Sequence, residues 1–263
     1  MTSFWFIALT GLAVVLAWKT LIWVLSLLTR NAGIVDIFWG PGFLLFCFWT
    51  AFLAPPDSPR QFLLPVLVAL WGMRLAGHIF LRSRGQEEDH RYRAMRERAG
   101  PSFWWQSLFF IFWLQGVILW LVALPVLHGQ ISPLPTDLTV LDGLGCAVFA
   151  IGFLFETVGD WQLTRFKASA SSRGRVLSSG LWRYTRHPNY FGDALVWWGL
   201  FLIGAATPHG WMFLLSPLLM NVLLLKVSGV TLLEVKLKET RPAYRDYMER
   251  TSAFIPWPPK RPV

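Results

Sequence analysis

The sequence predicts an all-α polytopic membrane protein of about seven transmembrane helices, and three observations carry that prediction. Hydrophobic residues make up 54% of the chain and charged residues only 15%, whereas a soluble domain carries about 25% charged residues. The apolar residues fall in runs of around twenty, which as helix cross a hydrocarbon core of about 30 Å. Many of the 16 Trp lie near the ends of those runs, where membrane-interface aromatics concentrate. The same composition excludes a disordered chain, a coiled coil and a disulfide scaffold.

The apolar segments run at about 3–28, 37–55, 62–81, 103–128, 139–164, 189–206 and 210–234. The first starts at once, lacks a basic lead-in and runs too long for a cleavable signal peptide, so it reads as a span. Pro55–Pro56 marks the turn between the second and third, and Pro133–Pro135 the turn between the fourth and fifth. The sixth is short and Gly-rich and begins right after Pro188, so it fits either a half-helix, a re-entrant element or a full crossing. There is no internal repeat and no low-complexity tract, which leaves one membrane domain over 1–263 as the simplest organisation. Cys47 and Cys146 both sit inside apolar runs and read as small core residues. No Cys/His spacing suits zinc, and no metal site is expected.

Charge placement predicts the orientation. Twenty of the 24 basic residues lie in 82–102, 165–187, 235–263 and at Arg30, all on one side of a seven-crossing arrangement. The opposite connections contribute only Arg60. Positively charged connections stay in the cytoplasm, which puts the C-terminus inside and the N-terminus outside. The net charge of +9 therefore reflects topology, with room for an anionic ligand on the cytoplasmic side, and does not argue for nucleic acid.

Polar side chains inside the apolar runs call for an explanation, because an ionised group at the bilayer centre costs roughly 2.5–3.5 kcal/mol. Lys19, Asp36, Arg74, His78, Gln115, Glu156, Asp160, Asp193, Asn221, Lys226 and Glu234 are such positions. Either they snorkel to an interface or they converge on a polar cavity. Lys19 fits pairing or snorkelling. Arg74 and His78 are four apart on one helical face, and Glu156 and Asp160 repeat that spacing as an acidic stripe. Two such carboxylates repel unless cations or donors meet them.

The stretch from Gly180 to Asp193 carries the most chemistry. It packs the donors Arg183, Arg186, His187, Asn189 and Tyr190 into a turn that runs into a helix started by Pro188. Basic residues ahead of a helix N-terminus suit a phosphate-bearing ligand, although an interfacial turn with a basic cluster would look the same. Gly192 lets a backbone or a ligand approach closely.

The run Arg186-His187-Pro188-Asn189-Tyr190-Phe191-Gly192-Asp193 resembles the C-terminal motif of the steroid 5-alpha-reductase and sterol-reductase membrane families. Asp36-Ile37-Phe38-Trp39-Gly40, Arg74-Leu75, Glu88-Asp89-His90-Arg91-Tyr92 and Trp197-Trp198-Gly199 extend the pattern over roughly 30–258. Together they look like a bacterial branch of that superfamily, one defined by a steroid-5-alpha-reductase-like domain of unknown function.

The resemblance implies an NADPH cavity facing the cytoplasm between the C-terminal helices, with about 1–128 on the substrate side and about 139–263 binding the cofactor. The family's Asn, its Asp four residues on and its basic residue seven further along match Glu156, Asp160 and Lys167. A loop Arg matches Arg175, the Asn and acid of the next motif match Asn189 and Asp193, and a Tyr ahead of a closing Ile-Pro matches Tyr244. Lys167, Arg173, Arg175 and Arg186 are the implied partners of the pyrophosphate and 2′-phosphate, with His187 and Tyr190 in the same donor cluster.

The chain departs from the family in two places. Glu156 stands where the family has a neutral amide. Where the steroid reductases use a Gln-Glu pair and a Tyr to hold an enone oxygen, this chain offers Val35-Asp36 and, near the Tyr position, Trp71.

The expected activity is hydride transfer from NADPH to a conjugated double bond of a lipid or steroid-like substrate. Asp36 beside Ile37, Phe38 and Trp39 is poorly solvated, which favours its neutral, proton-donating form, and His78 and Tyr92 are the next candidates for the acid. Asp is also a favoured helix cap, so Asp36 could simply start the second span. An S-adenosylmethionine-dependent lipid or isoprenylcysteine-type methyltransferase shares the Arg-His-Pro core and a Glu resembling Glu234. A non-catalytic membrane protein that binds lipid is the third possibility.

Overall fold

The computed structural model describes residues 3–260 apart from 173, 228–229, 231–233, 235–236, 239 and 242. The described residues are helical, with a single isolated bridge between Thr185 and Ser252 and no strand. Among the described residues, four helices are long and apolar enough to cross a membrane: Phe4–Thr29, Pro59–Ser83, His90–Ile131 and Val140–Ala168. Trp39–Leu53 and Gly210–Lys226 are shorter apolar helices. At 15 residues and about 1.5 Å per residue, Trp39–Leu53 falls short of a 30 Å hydrocarbon core. The chain forms two compact units, residues 1–142 with 203–216, and 143–202 with 217–263.

The first unit contains α1 (Phe4–Thr29), the single turn α2 (Ile34–Ile37), α3 (Trp39–Leu53), α4 (Pro59–Ser83), α5 (His90–Ala99), α6 (Phe103–Ser107) and α7 (Leu114–Ile131). A π-helical stretch, Leu108–Trp113, joins α6 to α7. The buried residues of α1 are Ile7, Ala8, Gly11, Val15, Lys19, Ile22 and Ser26, a stripe of helical period that turns one face inward. The Lys19 side chain sits on that stripe with none of its surface exposed. It does not snorkel.

Helices α3 and α4 meet at Gly40 and Gly72, where backbone touches backbone and any side chain at Gly40 would overlap Gly72. Next to this contact Phe43 and Trp71, both buried, pack edge to face with ring centroids 5.6 Å apart. Arg60, the basic residue that the charge pattern sets apart, is fully buried at the start of α4. Its Nε and Nη2 donate to Asp142 Oδ1 and Oδ2 at 2.7 and 2.8 Å, and Nη1 donates to Pro135 O. Its charge is spent inside the protein.

The second unit is built on α8 (Val140–Ala168, from 143 onward), α9 (Pro188–Ala205, up to 202), α10 (Leu215–Val222, from 217) and α11 (Ala243–Arg250). Glycines spaced by seven residues line the contact of α8 with α9. A Cβ at Gly199 would lie 2.6 Å from Gly145 O, one at Gly152 would lie 2.6 Å from Gly192 O, and one at Gly159 would lie 3.1 Å from Asn189 N. Small residues in this register let two membrane helices approach at backbone distance. Gly192 therefore makes room for the Glu156 backbone of α8. Of the two roles open to it in the sequence, the structure selects backbone approach.

Candidate functional site

Each unit holds a polar cluster. In the first, an apolar knot containing Ile22, Val35, Tyr92, Phe103 and Phe112 ties the α2 turn to α1, α5 and the start of the fourth apolar run. That knot fixes where Asp36 sits. Helix α5 is capped by Asp89, whose carboxylate accepts from Arg91 N at 2.9 Å. The Arg91 guanidinium bridges Asp89 Oδ1 and Asp36 Oδ2, each at 3.0 Å. Tyr92 donates its hydroxyl to Asp36 Oδ1 at 2.7 Å. Gln115, just after the π-helical stretch, donates its amide to Asp36 Oδ1 at 3.3 Å and to Tyr92 Oη at 3.4 Å. Its Oε1 accepts from Lys19 Nζ at 3.1 Å.

The N-cap of α3 is Phe38, with no side-chain capping bond, and Gly33 precedes α2. Asp36 therefore caps neither helix. Its carboxylate gathers a phenol, an amide and a guanidinium. His78 lies on α4, half-buried, one turn beyond Arg74.

The acidic loop ahead of α5 is tied to the rest of the first unit. Glu88 accepts from Ala32 N at 2.7 Å and from Arg96 Nε and Nη2 at 3.0 and 2.7 Å, which latches α5 to the α1–α2 connection. Burial would raise its carboxyl, but the bonds from Arg96 and Ala32 hold it below the usual range. Asp89 shows the same balance, with Arg91 as the stabilising partner.

In the second unit the motif from Thr185 to Tyr190 faces inward. Arg186 donates Nε and Nη2 to the two oxygens of Glu234 at 2.7 and 3.2 Å, and Nη1 to the carbonyls of Met248 and Thr251 at 2.9 and 2.6 Å. His187 Nε2 lies 3.1 Å from Glu234 Oε1, and the His187 ring stacks on Tyr190 with centroids 5.6 Å apart. Arg186, expected on cofactor phosphate, instead holds the C-terminal segment to the motif. Its donors point at protein acceptors because α11 and Glu234 pack over it. Tyr244 is buried against Tyr247 in the same region, and burial pushes both hydroxyls up.

Asn189 Nδ2 donates to Asp160 Oδ1 at 3.0 Å, so these two expected contacts do meet. Glu156 is buried on α8, Asp193 is half-buried on α9, and Lys167 is exposed near the end of α8. Arg173 lies outside the described residues.

A cavity of about 510 Å³ opens beside this motif. Arg175, Ser178, Arg183, Asp246, Tyr247 and Arg250 are among its lining residues. The Arg175 carbonyl is held by the Arg241 guanidinium, and Tyr247 donates its hydroxyl to the Trp182 carbonyl. Three guanidinium groups on one cavity make it suited to an anion. Arg183 belongs to the basic turn that the sequence offers to a phosphate, whereas Arg250, on α11, was not among the sequence-based phosphate partners. Gln115 carried a signal, an amide inside the run 103–128, but nothing in the spacing pointed it at Asp36.

A family model described as "Protein of unknown function (DUF1295)" matches residues 22–251. The chain belongs to the DUF1295 family. The DUF1295 match takes in Asp36, Tyr92, Gln115 and the whole Arg186–Glu234 tie. The chain is also similar to Uncharacterized protein C594.04c of Schizosaccharomyces pombe, with 26% identity over 266 residues that cover 89% of this chain and 75% of that protein. No solved structure matches the chain significantly.

Proposed function

We propose that this DUF1295 protein is a membrane reductase of the steroid 5-alpha-reductase-like superfamily, using NADPH to reduce a conjugated double bond of a lipid or steroid-like substrate. The observation that carries the reading is the Asp36–Tyr92–Gln115 cluster. It brings a carboxylate, a phenol and an amide together, the group types that hold and protonate an enone oxygen in the family this sequence resembles. Tyr92 donates its one proton to Asp36 in this arrangement and would turn it to a bound enone oxygen instead, while Gln115 donates to the phenol oxygen and to Asp36.

The second unit suits the cofactor. Arg175, Arg183 and Arg250 would hold its phosphates, and Asp160 would accept from its ribose hydroxyls. When bound, NADPH supplies the hydride. Under this reading the chain makes seven crossings in a bacterial inner membrane, with the basic connections, the cofactor cavity and the C-terminus cytoplasmic.

A methyltransferase using S-adenosylmethionine is the second reading, favoured by the buried tie of Glu234 to the Arg-His pair. Equilibrium binding of NADPH, NADH and S-adenosylmethionine to the detergent-purified protein tests both. The reductase reading expects micromolar NADPH binding that weakens with salt. Binding of S-adenosylmethionine alone would replace it with the methyltransferase, and binding of none of the three would leave a lipid-binding protein.

A further inference from the structure

The residue that the proposed chemistry does not use is Lys19. It is fully buried halfway along α1, and it lies ahead of the family-matched residues 22–251. A buried ammonium is expensive and persists only where partners meet it. Its hydrogen-bond partner is Gln115 Oε1 at 3.1 Å, and its Nζ lies 5.6 Å from the centroid of the Trp39 ring. Gly116, next to Gln115, brings α7 close enough for this bond. A Cβ there would lie 3.1 Å from Leu16 Cδ2 and 3.4 Å from Lys19 Cγ.

We propose that Lys19 is a positioning residue that acts through Gln115 to set the hydrogen-bond direction of the Asp36–Tyr92 pair. An ammonium can only donate, so the amide facing it must present its oxygen. The NH₂ group then has to point the other way, and it reaches both Asp36 Oδ1 and Tyr92 Oη. A phenol oxygen that receives the amide N–H turns its own proton to the remaining acceptor, Asp36. With an apolar residue at position 19 the amide can rotate by half a turn and present its oxygen to the phenol. Tyr92 would then donate to Gln115, and Asp36 would lose two of its donors. Lys19 thereby selects one of two hydrogen-bond arrangements without touching either Asp36 or Tyr92.

The inference rests on the reductase reading for its consequence in catalysis, but its direct test does not need turnover. The charged groups around Tyr92 are Asp36 on α2 and Asp89 and Arg91 at the start of α5, with Lys19 reaching it through Gln115, so a double variant separates the field of the ammonium from the hydrogen-bond relay. The detergent-purified full chain is made with 3,5-difluorotyrosine, and the Tyr92 resonance is assigned by ¹⁹F NMR from its loss in Tyr92→Phe.

Lys19→Met removes the ammonium at similar length, and Gln115→Met removes the amide. The expected result, read at pH 6 with Lys19 protonated, is that each single variant moves the Tyr92 ¹⁹F resonance by more than its linewidth, as the phenol changes its hydrogen-bond partners. The double variant should move it no further than the larger single one. An unmoved resonance in folded Lys19→Met protein overturns the proposal. So does a Lys19 effect that persists undiminished in the Gln115→Met background, because the ammonium would then act directly through its field. If Lys19→Met does not fold, Gln115→Glu supplies the same test: a carboxylate cannot donate to Tyr92, so an unmoved resonance there also overturns the proposal. Once a substrate is known, the positioning role expects Lys19→Met to lower kcat with little change in KM. Absence of any NADPH binding would remove the reductase reading and leave the ¹⁹F result standing.

Discussion

Arg186 grips both oxygens of Glu234, at 2.7 and 3.2 Å, while donating to two backbone carbonyls of the C-terminal segment. A guanidinium is the side chain that can do this, because its fork fits a carboxylate side-on and still leaves donors for other acceptors. The pair explains why an Arg-His-Pro sequence that reads as an exposed anion site is buried. Breaking one partner of a buried pair costs about 3–5 kcal/mol. Arg186→Leu and Glu234→Leu should therefore each lower the thermal unfolding midpoint of the detergent-solubilised protein by several degrees or more, and a double Leu variant should recover part of the loss.

The glycine contact between α8 and α9 makes a sharper packing prediction. Gly192→Ala forces a methyl group into the Glu156 backbone, and overpacking of this kind costs about 1–3 kcal/mol. Gly77, on α4, has nothing within 4 Å of a new Cβ, so Gly77→Ala should stabilise by about 0.5–1 kcal/mol through helix propensity alone. Thermal unfolding of the two variants should move in opposite directions.

Cofactor binding should depend on the cavity arginines. Arg175→Ala, Arg183→Ala and Arg250→Ala are each expected to weaken NADPH binding by about 1.5–3 kcal/mol, the scale of a charged hydrogen bond. Arg98→Ala, on exposed α5 of the other unit, should leave it unchanged. Isothermal titration at two salt concentrations measures this, and equal affinity across all four variants would remove the cavity from the cofactor site.

Asp36→Asn separates chemistry from binding. The substitution keeps shape and removes the charge that accepts from Tyr92 and Arg91. Protein yield and NADPH affinity should be maintained and lipid reduction abolished. Retained turnover in a stable Asp36→Asn protein would take Asp36 out of the mechanism.

The latch at Glu88 predicts a pH dependence. Its folded-state carboxyl lies below its ordinary value of 4.5, so the unfolded chain binds more protons in that range. The latch stabilises fully above about pH 4.5, and its contribution is lost as pH falls through the depressed folded value. The difference in thermal midpoint between wild type and Glu88→Gln should therefore be largest near neutral pH and shrink on acidification. A difference that stays constant down to pH 4 and below would show that Glu88 acts only through its shape.

Much of the local organisation was readable in advance. Helix ends such as Pro188 and the run starting at Phe103 fall where punctuation and periodicity put them. Asp160 and Asn189, which the family resemblance gives as separate cofactor contacts, are bonded directly to each other in the fold. The inward turn of Arg186 was hidden, because a sequence does not say whether a basic cluster faces water or a distant carboxylate. Gln115 was visible as an oddity and invisible as a partner, since 79 residues separate it from Asp36.

By itself the sequence determined that this is a helical chain with several segments long and apolar enough to cross a membrane. Those properties are sums over long runs, and each residue adds to them whatever its neighbours do in space. Only the tertiary structure decided which polar groups meet. Lys19, Asp36, Tyr92 and Gln115 come from four separate stretches of chain, and their hydrogen bonds exist only because packing at Gly116 and around Val35 brings those stretches within about 3 Å of one another. Hydrogen bonds lose their strength within an ångström of misplacement, so the chemistry of this cluster is a property of the fold.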